Sequence, residues 1–550
     1  MGGEPVIPLS LAQIARITGG QLNGAAAACG REAVVTGEVV IDSRRVGPGG
    51  LFAAGAGERS DGHDFASAAV AAGAVAVLGT RPVSVPAVIV ADVPAALAAL
   101  ATYVVDSLPA AQVAGITGSS GKTSTKDLAA QLVERLGPTI APAGSFNNEF
   151  GLPLTVLRAD LATRYLVLEL SARGVGHIAH LCRIAPPRYG VVLNVGHAHA
   201  GEFGGLDQVA LAKGELVEAL PADAAGGVAI LNADDPRVLA MASRTAARIV
   251  TFSLQSSHGS RPSQRSLPER VPEPSVRAAD VRLDDLGRPS FTLLTPAGSA
   301  PVTLRLHGAH NVPNALAAAV LAGELGLGLA DIADGLCAAV ARSRWRMEVR
   351  RRADGVMIIN DAYNANPESV RAAIEALAHL ARDGRAFAVL GHMAELGDTS
   401  RARHEEAGEF AAQVLGAGLA GLIAVGDEAA PLLAGARRVR SWHGEAVGVP
   451  DGAAALEVLA NQLKPGDVVL VKASRAAGLE GVAADLLSEL GGPDRGRLSC
   501  CRPPSRCSSR CSAPRWPSRR SPGAATARRS GRTARPGTCP SAARRPWAAR

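Results

Sequence analysis

Along this chain, short runs of Val, Ile, Leu and Ala that suit buried parallel strands alternate with longer stretches of helical spacing. The runs predict strands at 34–41, 74–78, 111–114, 165–170, 189–195 and 228–231, and again at 355–360, 386–390, 421–425 and 467–472. Helical spacing covers 9–18, 66–72 and 126–136 (Leu128, Leu132, Val133, Leu136), and a helix opens after 307–314 and runs to about 325. Residues 281–306 alternate as an antiparallel pair would, and 253–279, rich in Ser, Arg and Pro without periodicity, read as a solvated insertion. Strands alternating with helices predict an α/β protein with a doubly wound parallel sheet and right-handed crossovers.

Parallel sheets bind ligands at the carboxyl ends of their strands. The strand at 111–114 is followed by Gly115-Ile116-Thr117-Gly118-Ser119-Ser120-Gly121-Lys122-Thr123-Ser124 and then by a helix. Strand, glycine loop and helix make a phosphate site: backbone N–H groups and the helix N-terminus attract an anion, Lys122 adds charge, and the Thr123 hydroxyl can ligate Mg²⁺. Ile116 stands where the strict pattern has its first glycine, so the form is shortened, Gly118-x-x-Gly121-Lys122-Thr123. A bare glycine-rich turn is the plainer reading; with the flanking strand and helix, ATP or GTP binding is the working one.

Other polar clusters follow other strands. Asp42-Ser43-Arg44 is either a capped turn or an anion site in which Ser43 and Arg44 hold a diphosphate. Asn147 and Asn148 either stabilise a loop or orient a substrate. Glu169, at a strand's carboxyl end opposite the phosphate loop, either caps the next turn or holds Mg²⁺. His199 is either a surface residue or a second metal or phosphate contact; Lys213, as a lone lysine on a helix, reads as a solvated charge. In the last third, Asn360-Asp361, Gly391-His392, Gly426-Asp427 and Lys472-Ala473-Ser474-Arg475 all end strands, which predicts one binding face.

At 550 residues two to four domains are expected, and 47% hydrophobic against 19% charged residues supports large cores. No apolar span reaches membrane length and no signal sequence opens the chain, so a cytoplasmic protein without membrane insertion is expected. The net charge of +7 misleads: residues 493–550 contain 15 Arg and one acidic residue, Asp494. Taking these from the chain's 57 basic and 50 acidic residues leaves 42 and 49, a net −7 for residues 1–492. A nucleic-acid partner would rest on that segment alone and is not expected. Cys29, Cys182 and Cys337 are too widely spaced for a disulfide framework, and the five cysteines beyond 492 come without a histidine or a fold-forming pattern that would suggest a zinc module.

Four motifs, Gly118-Ser119-Ser120-Gly121-Lys122-Thr123, Asn147-Asn148-Glu149-Phe150-Gly151-Leu152-Pro153, His310-Asn311-Val312-Pro313-Asn314-Ala315 and Ser343-Arg344-Trp345-Arg346-Met347-Glu348, resemble those of the Mur ligases, ATP-dependent amide ligases of peptidoglycan precursor synthesis. Asp42-Ser43-Arg44, Asp61-Gly62-His63-Asp64-Phe65, Asp361-Ala362-Tyr363-Asn364-Ala365-Asn366-Pro367 and Gly391-His392-Met393-Ala394-Glu395-Leu396-Gly397 are similar to the MurF branch of that family, which joins D-alanyl-D-alanine to UDP-N-acetylmuramoyl-tripeptide. The likeness runs through about residues 6–490 in unbroken order.

The resemblance implies three domains: a UDP-sugar domain over 1–108, a central P-loop ATPase with a parallel sheet over 109–325, and a Rossmann-like domain over 326–492 that closes on the nucleotide. It implies ATP and Mg²⁺ as cofactors and a monomer, with Gly118 to Ser124, His310, Asn314, Arg346 and Asp361 at the nucleotide. Lys122, Lys213, His199 and Arg346 would be catalytic; Ser43 and Arg44 would meet the UDP moiety; Asn147, Asn148, Lys472 and Ser474 would meet substrate. Thr123, Glu169, His199 and a carbamylated Lys213 would serve the metal. Ser120 replaces a usual Asn, His197 a small residue or Thr, and Ser171 a usual Gly, which strains the backbone if that site needs a positive φ. Residues 493–550 have no counterpart and read as an out-of-frame translation of GC-rich DNA or a disordered extension. Two other readings stand beside this one: a sister or folylpolyglutamate-type ligase, and a non-catalytic nucleotide- or RNA-binding protein.

Overall fold

Three larger sheets and a two-stranded ribbon organise the computed structural model, which describes residues 6–55, 57, 60–197, 203–254 and 272–488. In the first sheet Val39–Val40, Leu51–Ala54, Ala76–Gly79 and Ala87–Ile89 run parallel, and Gln21–Leu22 adds an antiparallel edge. The strand expected over 34–41 is divided. Val34–Val35 pairs with Leu9–Ser10, and the Thr36 and Gly37 amides both donate to Gly49 O at 3.0 and 2.9 Å, which turns the chain before Val39–Val40.

The nine-stranded sheet holds Gln112–Thr117 between Tyr165–Glu169 and Tyr189–Val192, all parallel. From Gln112–Thr117 the chain first builds to one side, through Thr139–Ile140 and Tyr165–Glu169. It then crosses to the other for Tyr189–Val192, Val228–Asn232 and Arg248–Ser253. That reversal opens a crevice at the carboxyl end of Gln112–Thr117, where such sheets bind ligands. The pair expected over 281–306 is three antiparallel strands, Val276–Leu283, Pro289–Thr295 and Gly298–Thr303. A two-residue turn at Pro296-Ala297 hides the second hairpin from a pattern reading, and Pro301 is tolerated because its strand lies at the sheet edge. The insertion is correspondingly shorter, and its middle, like the segment beyond 488, lies outside the described residues.

The third sheet has the expected parallel strands Met357–Asn360, Val468–Lys472, Ala386–Gly391 and Leu419–Val425 in that order. Two more flank them, Glu348–Arg351 antiparallel and Glu445–Val449 parallel. Both are half-exposed edges whose Glu and Arg residues mask the strand signal.

Local chemistry sets where helices begin. Ser10 with Gln13, and Asn366 with Ser369, form capping boxes, and Asp92 and Asp451 cap the helices that follow them. The helix Lys122–Val133 starts well ahead of the apolar spacing at 126, directly after Gly121 and with no side-chain cap, so its first N–H groups have no partner within the helix. Asn311–Glu324, mostly Ala, Leu and Val, is buried between that helix and the central sheet. Among the described residues no helix is long and apolar enough to cross a membrane.

The Asp61-Gly62-His63 motif is explained by folding. His63, 5% exposed, has Nδ1 2.6 Å from Asp61 Oδ1, and its Nε2 accepts the Thr80 amide at 2.9 Å, tying the 3₁₀ turn Gly62–Phe65 to the end of Ala76–Gly79. His63→Ala would strand that amide and leave a void, lowering stability by about 1–3 kcal/mol in urea unfolding while the phosphate loop keeps its geometry.

Candidate active site

The phosphate loop owes its shape to close packing. A Cβ on Gly118 would lie 2.9 Å from Leu193 Cβ; Gly121 has φ +79° and a Cβ there would meet Asn314 Oδ1 at 2.4 Å. Asn194, just past Tyr189–Val192, accepts the Ser119 and Ser120 amides on Oδ1 at 2.9 Å each and donates from Nδ2 to Ser120 O at 3.2 Å. Ser119 Oγ accepts the Gly196 amide at 2.8 Å. Two loop amides are therefore turned inward, and the N–H groups left facing an anion are those of the first helical turn, from Lys122 onward. Sequence reasoning passed over Asn194; the signal was a single polar side chain closing the apolar run 189–195.

Positive charge gathers at this turn. Lys122 Nζ donates to Gly118 O at 2.7 Å, and Arg346 Nη2 donates to Thr123 Oγ1 at 3.2 Å. Burial holds the Lys122 ammonium below its ordinary pKa and Arg346 adds to the effect, while Glu169 works against it. Lys213, on Leu206–Glu218, is 3% exposed and not the solvated charge that its position on a helix suggested. Burial first, then the like charge of Lys122, pushes it well below the lysine range. Glu169 is 1% exposed; Asn147 Nδ2 donates to its Oε1 at 2.7 Å, and its Oε2 is buried with no hydrogen-bond partner among the described residues. Asn148 Oδ1 accepts the Gly151 amide at 2.9 Å and so starts the short helix Gly151–Val156. The strain expected at Ser171 is absent: the non-glycine residues with positive φ among those described are Asp280, Trp345, Met347 and Glu395.

The third sheet faces the loop. Lys472 Nζ, 2% exposed, contacts Asp361 Oδ2 at 2.5 Å and Asn364 O at 3.0 Å, while Asp361 Oδ1 accepts the Met347 amide at 3.1 Å. Burial lowers the pKa of His310, which feels Asp361 and Lys472. Two cavities meet at Ser120, Gly121, Ser124 and Arg346. One, about 430 Å³, adds His310, Asn314, Asp361 and Lys472; the other, about 370 Å³, adds Lys122, Thr123, Asn147, Asn148 and Glu169. Ser474 lines neither; it is buried, its amide donating to His392 O at 3.0 Å.

Ser43 and Arg44 lie away from both cavities, on the turn Ser43–Arg45. The Arg44 guanidinium is exposed and grips Asp42 at 2.9 and 2.8 Å, holding that carboxyl down at about 2. A hollow of about 190 Å³ beside them is lined by Asp42, Arg45, Phe146, Leu154 and Arg158. His199 lies outside the described residues, and among those described no group of three or more His, Cys, Asp or Glu side chains forms a metal cluster. Its neighbour His197 is tied across to the third sheet's domain: its amide and Nδ1 lie 2.8 and 2.7 Å from Glu368 Oε1. Removing one partner of the buried Asp361–Lys472 pair leaves an unmatched charge. Asp361→Ala is expected to cost about 3–5 kcal/mol in urea unfolding, and Asp361→Leu with Lys472→Met to recover most of it.

Three family domains match in chain order: the Mur ligase family catalytic domain over 36–119, the Mur ligase middle domain over 116–322, and the Mur ligase glutamate ligase domain over 345–475. The UDP-N-acetylmuramoyl-tripeptide–D-alanyl-D-alanine ligase of Mycobacterium leprae is 46% identical over 88% of this chain and 98% of its own length. MurF from Acinetobacter baumannii superposes with a TM-score of 0.74 at 31% identity, over 88% of this chain and all of that one. MurF from Thermotoga maritima, solved in complex with ADP, gives 0.66 at 30% identity over 82% of this chain and 97% of that one. The three family domains follow one another along the chain, relatives are matched over nearly their whole length, and the chain belongs to the Mur ligase family.

Proposed function

We propose that this chain is an ATP-dependent ligase that joins D-alanyl-D-alanine to UDP-N-acetylmuramoyl-tripeptide through an acyl phosphate, in peptidoglycan precursor synthesis. One observation carries the reading: a helix N-terminus, Lys122 and Arg346 converge on one point between two cavities, with the buried carboxylate Glu169 opposite. The relatives with that printed activity are matched over nearly their whole length.

A peptide carboxylate is a poor electrophile. Its oxygen attacks the γ-phosphorus of ATP, ADP leaves, and the amine of the dipeptide then displaces phosphate from the acyl carbon. Both steps gather negative charge on oxygen. Lys122, Arg346 and the first-turn amides are the preorganised positive groups that meet it, and loss of one such group costs on the order of 10²–10³ in kcat. In this reading the cavity bordered by His310, Asn314 and Asp361 takes the nucleotide, an assignment supported by the ADP complex of the Thermotoga relative. The cavity of Asn147, Asn148 and Glu169 takes the peptide end; Lys472 stands at the nucleotide cavity, and Ser474 acts from behind the walls, its amide bonded to His392 O. Ser43 and Arg44 stand where the UDP end reaches the first domain.

Glu169 Oε2, without a partner among the described residues, and the Thr123 hydroxyl line one cavity and suit Mg²⁺, which when bound neutralises phosphate charge; His199 and a carbamylated Lys213 complete the proposed set. Burial favours the neutral form of the Lys213 amine, and only the neutral amine attacks CO₂; a proton leaves, and the anionic carbamate that forms lies beside the Lys122 cation.

Phosphate release from MgATP is the first test. It should require the UDP-tripeptide and D-alanyl-D-alanine together, and release without need of the dipeptide would point to another amine acceptor. A second test reads Lys213 directly: protein equilibrated with ¹³C-bicarbonate should give a carbamate carbonyl resonance that Lys213→Ala lacks.

A further inference from the structure

Arg346 is held in an unusual way. Among the described residues its guanidinium makes one hydrogen bond, Nη2 to Thr123 Oγ1, while its Nε is buried without a partner. A single bond at 3.2 Å does not fix a planar group on a flexible stem. What restrains it is a ring. The Arg346 Cζ lies 4.3 Å from the Tyr363 ring centroid, a cation–π contact. Tyr363 in turn stacks on Trp345 at 6.4 Å and 30°, and Arg475 covers Trp345 at 4.4 Å, so four side chains form one column.

The backbone is arranged around the same column. Trp345 and Met347, on either side of Arg346, have φ of +58° and +49°, conformations that L-residues adopt only where neighbours over-determine them. The Tyr363 amide donates to Trp345 O at 3.2 Å and the Met347 amide to Asp361 Oδ1 at 3.1 Å, so residues 361–363 clamp both strained positions. Finally, Ser145 Oγ donates to the Tyr363 hydroxyl at 2.6 Å, and Ser145 belongs to the central domain, just ahead of Asn147. Tyr363 therefore touches the segment carrying Arg346 with its ring and backbone, and the substrate loop with its hydroxyl.

We propose that Tyr363 is a positioning residue: its ring, backed by Trp345, sets the Arg346 guanidinium over the start of the phosphate-loop helix. The proposal rests on the ligase reading only for what Arg346 then does. The test is a double-mutant cycle of Tyr363→Leu and Arg346→Met, followed by MgATP-dependent phosphate release and by calorimetric binding of the ATP analogue AMP-PNP. Tyr363→Leu is expected to lower kcat/KM for ATP by roughly 2- to 30-fold, the size of one cation–π contact, and Tyr363→Phe to restore most of it because the ring remains. In the Arg346→Met background Tyr363→Leu should have little further effect. Additive losses, or a Leu variant with wild-type kinetics and an unchanged unfolding midpoint, overturn the proposal. A Leu variant that unfolds leaves the Phe and Ser145→Ala variants, which keep the ring: both should retain Arg346-dependent AMP-PNP binding, and loss of that binding in either also overturns it. Wild-type protein that releases no phosphate would count against the ligase reading alone, since coupling of Tyr363 to Arg346 is still read in AMP-PNP binding.

Discussion

Positive charge held out of water, offset at Lys122 by Glu169, is the condition on which this site turns. Burial lowers the pKa of both Lys122 and Lys213, a neighbouring cation disfavours each further, and among the described residues the carboxylate acting on Lys122 is Glu169. Such an arrangement is costly in an empty protein and is relieved by a polyphosphate. The fold bears it because the charged groups sit on rigid neighbours: the helix Lys122–Val133 is pinned under Asn311–Glu324, and the loop before it hangs on Asn194 from the next strand. The strain is thus built in by the packing of the central sheet.

The same packing decides which loop amides are available. In the sequence the whole stretch Gly118 to Ser124 reads as an anion cradle. In the structure the Ser119 and Ser120 amides already serve Asn194, and only the helix's own first turn faces outward. The shortened glycine pattern, with Ile116 in place of glycine, fits this division: Ile116 is a fully buried strand residue that pairs beside Glu169, leaving Gly118 and Gly121 as the positions where a side chain would collide.

What the sequence made legible was local or periodic. Strand–loop–helix order, the parallel strands and the polar clusters at their ends follow from patterns only a few residues long. What stayed hidden depends on contacts across long stretches of chain. Lys213 reads as solvated on its own helix and is buried because of what packs over it. Asn194 gains its role from a loop 74 residues away, and Tyr363 from Ser145, 218 residues away. The edge strands Glu348–Arg351 and Glu445–Val449 were missed because half-exposed strands carry charge where a pattern reading wants apolar residues. Ser171 shows the converse: a substitution that looked strained against a family pattern has an ordinary φ here, so the residue type alone does not report the backbone.

The contacts that join the third sheet's domain to the phosphate loop share one character. Arg346 meets Thr123, His197 meets Glu368, Asn366 Nδ2 reaches Ser119 O at 3.4 Å, and Ser145 meets Tyr363; all four are polar. Hydrogen bonds of this kind contribute about 0.5–1.5 kcal/mol each because water replaces them when they open, and polar interfaces between domains are the ones that move. On the ligase reading proposed above, a domain that closes over a nucleotide and reopens is served by such a seam, whereas an apolar one would hold it shut. Three of the four partners on the third sheet's side, Tyr363, Asn366 and Glu368, follow closely after the strand Met357–Asn360, with Glu368 in the first turn of Pro367–Leu380. One short segment therefore carries most of these contacts, the clamp on Arg346 and the Asp361 side of the buried Asp361–Lys472 pair, so its position bears on the charge presented inside the site.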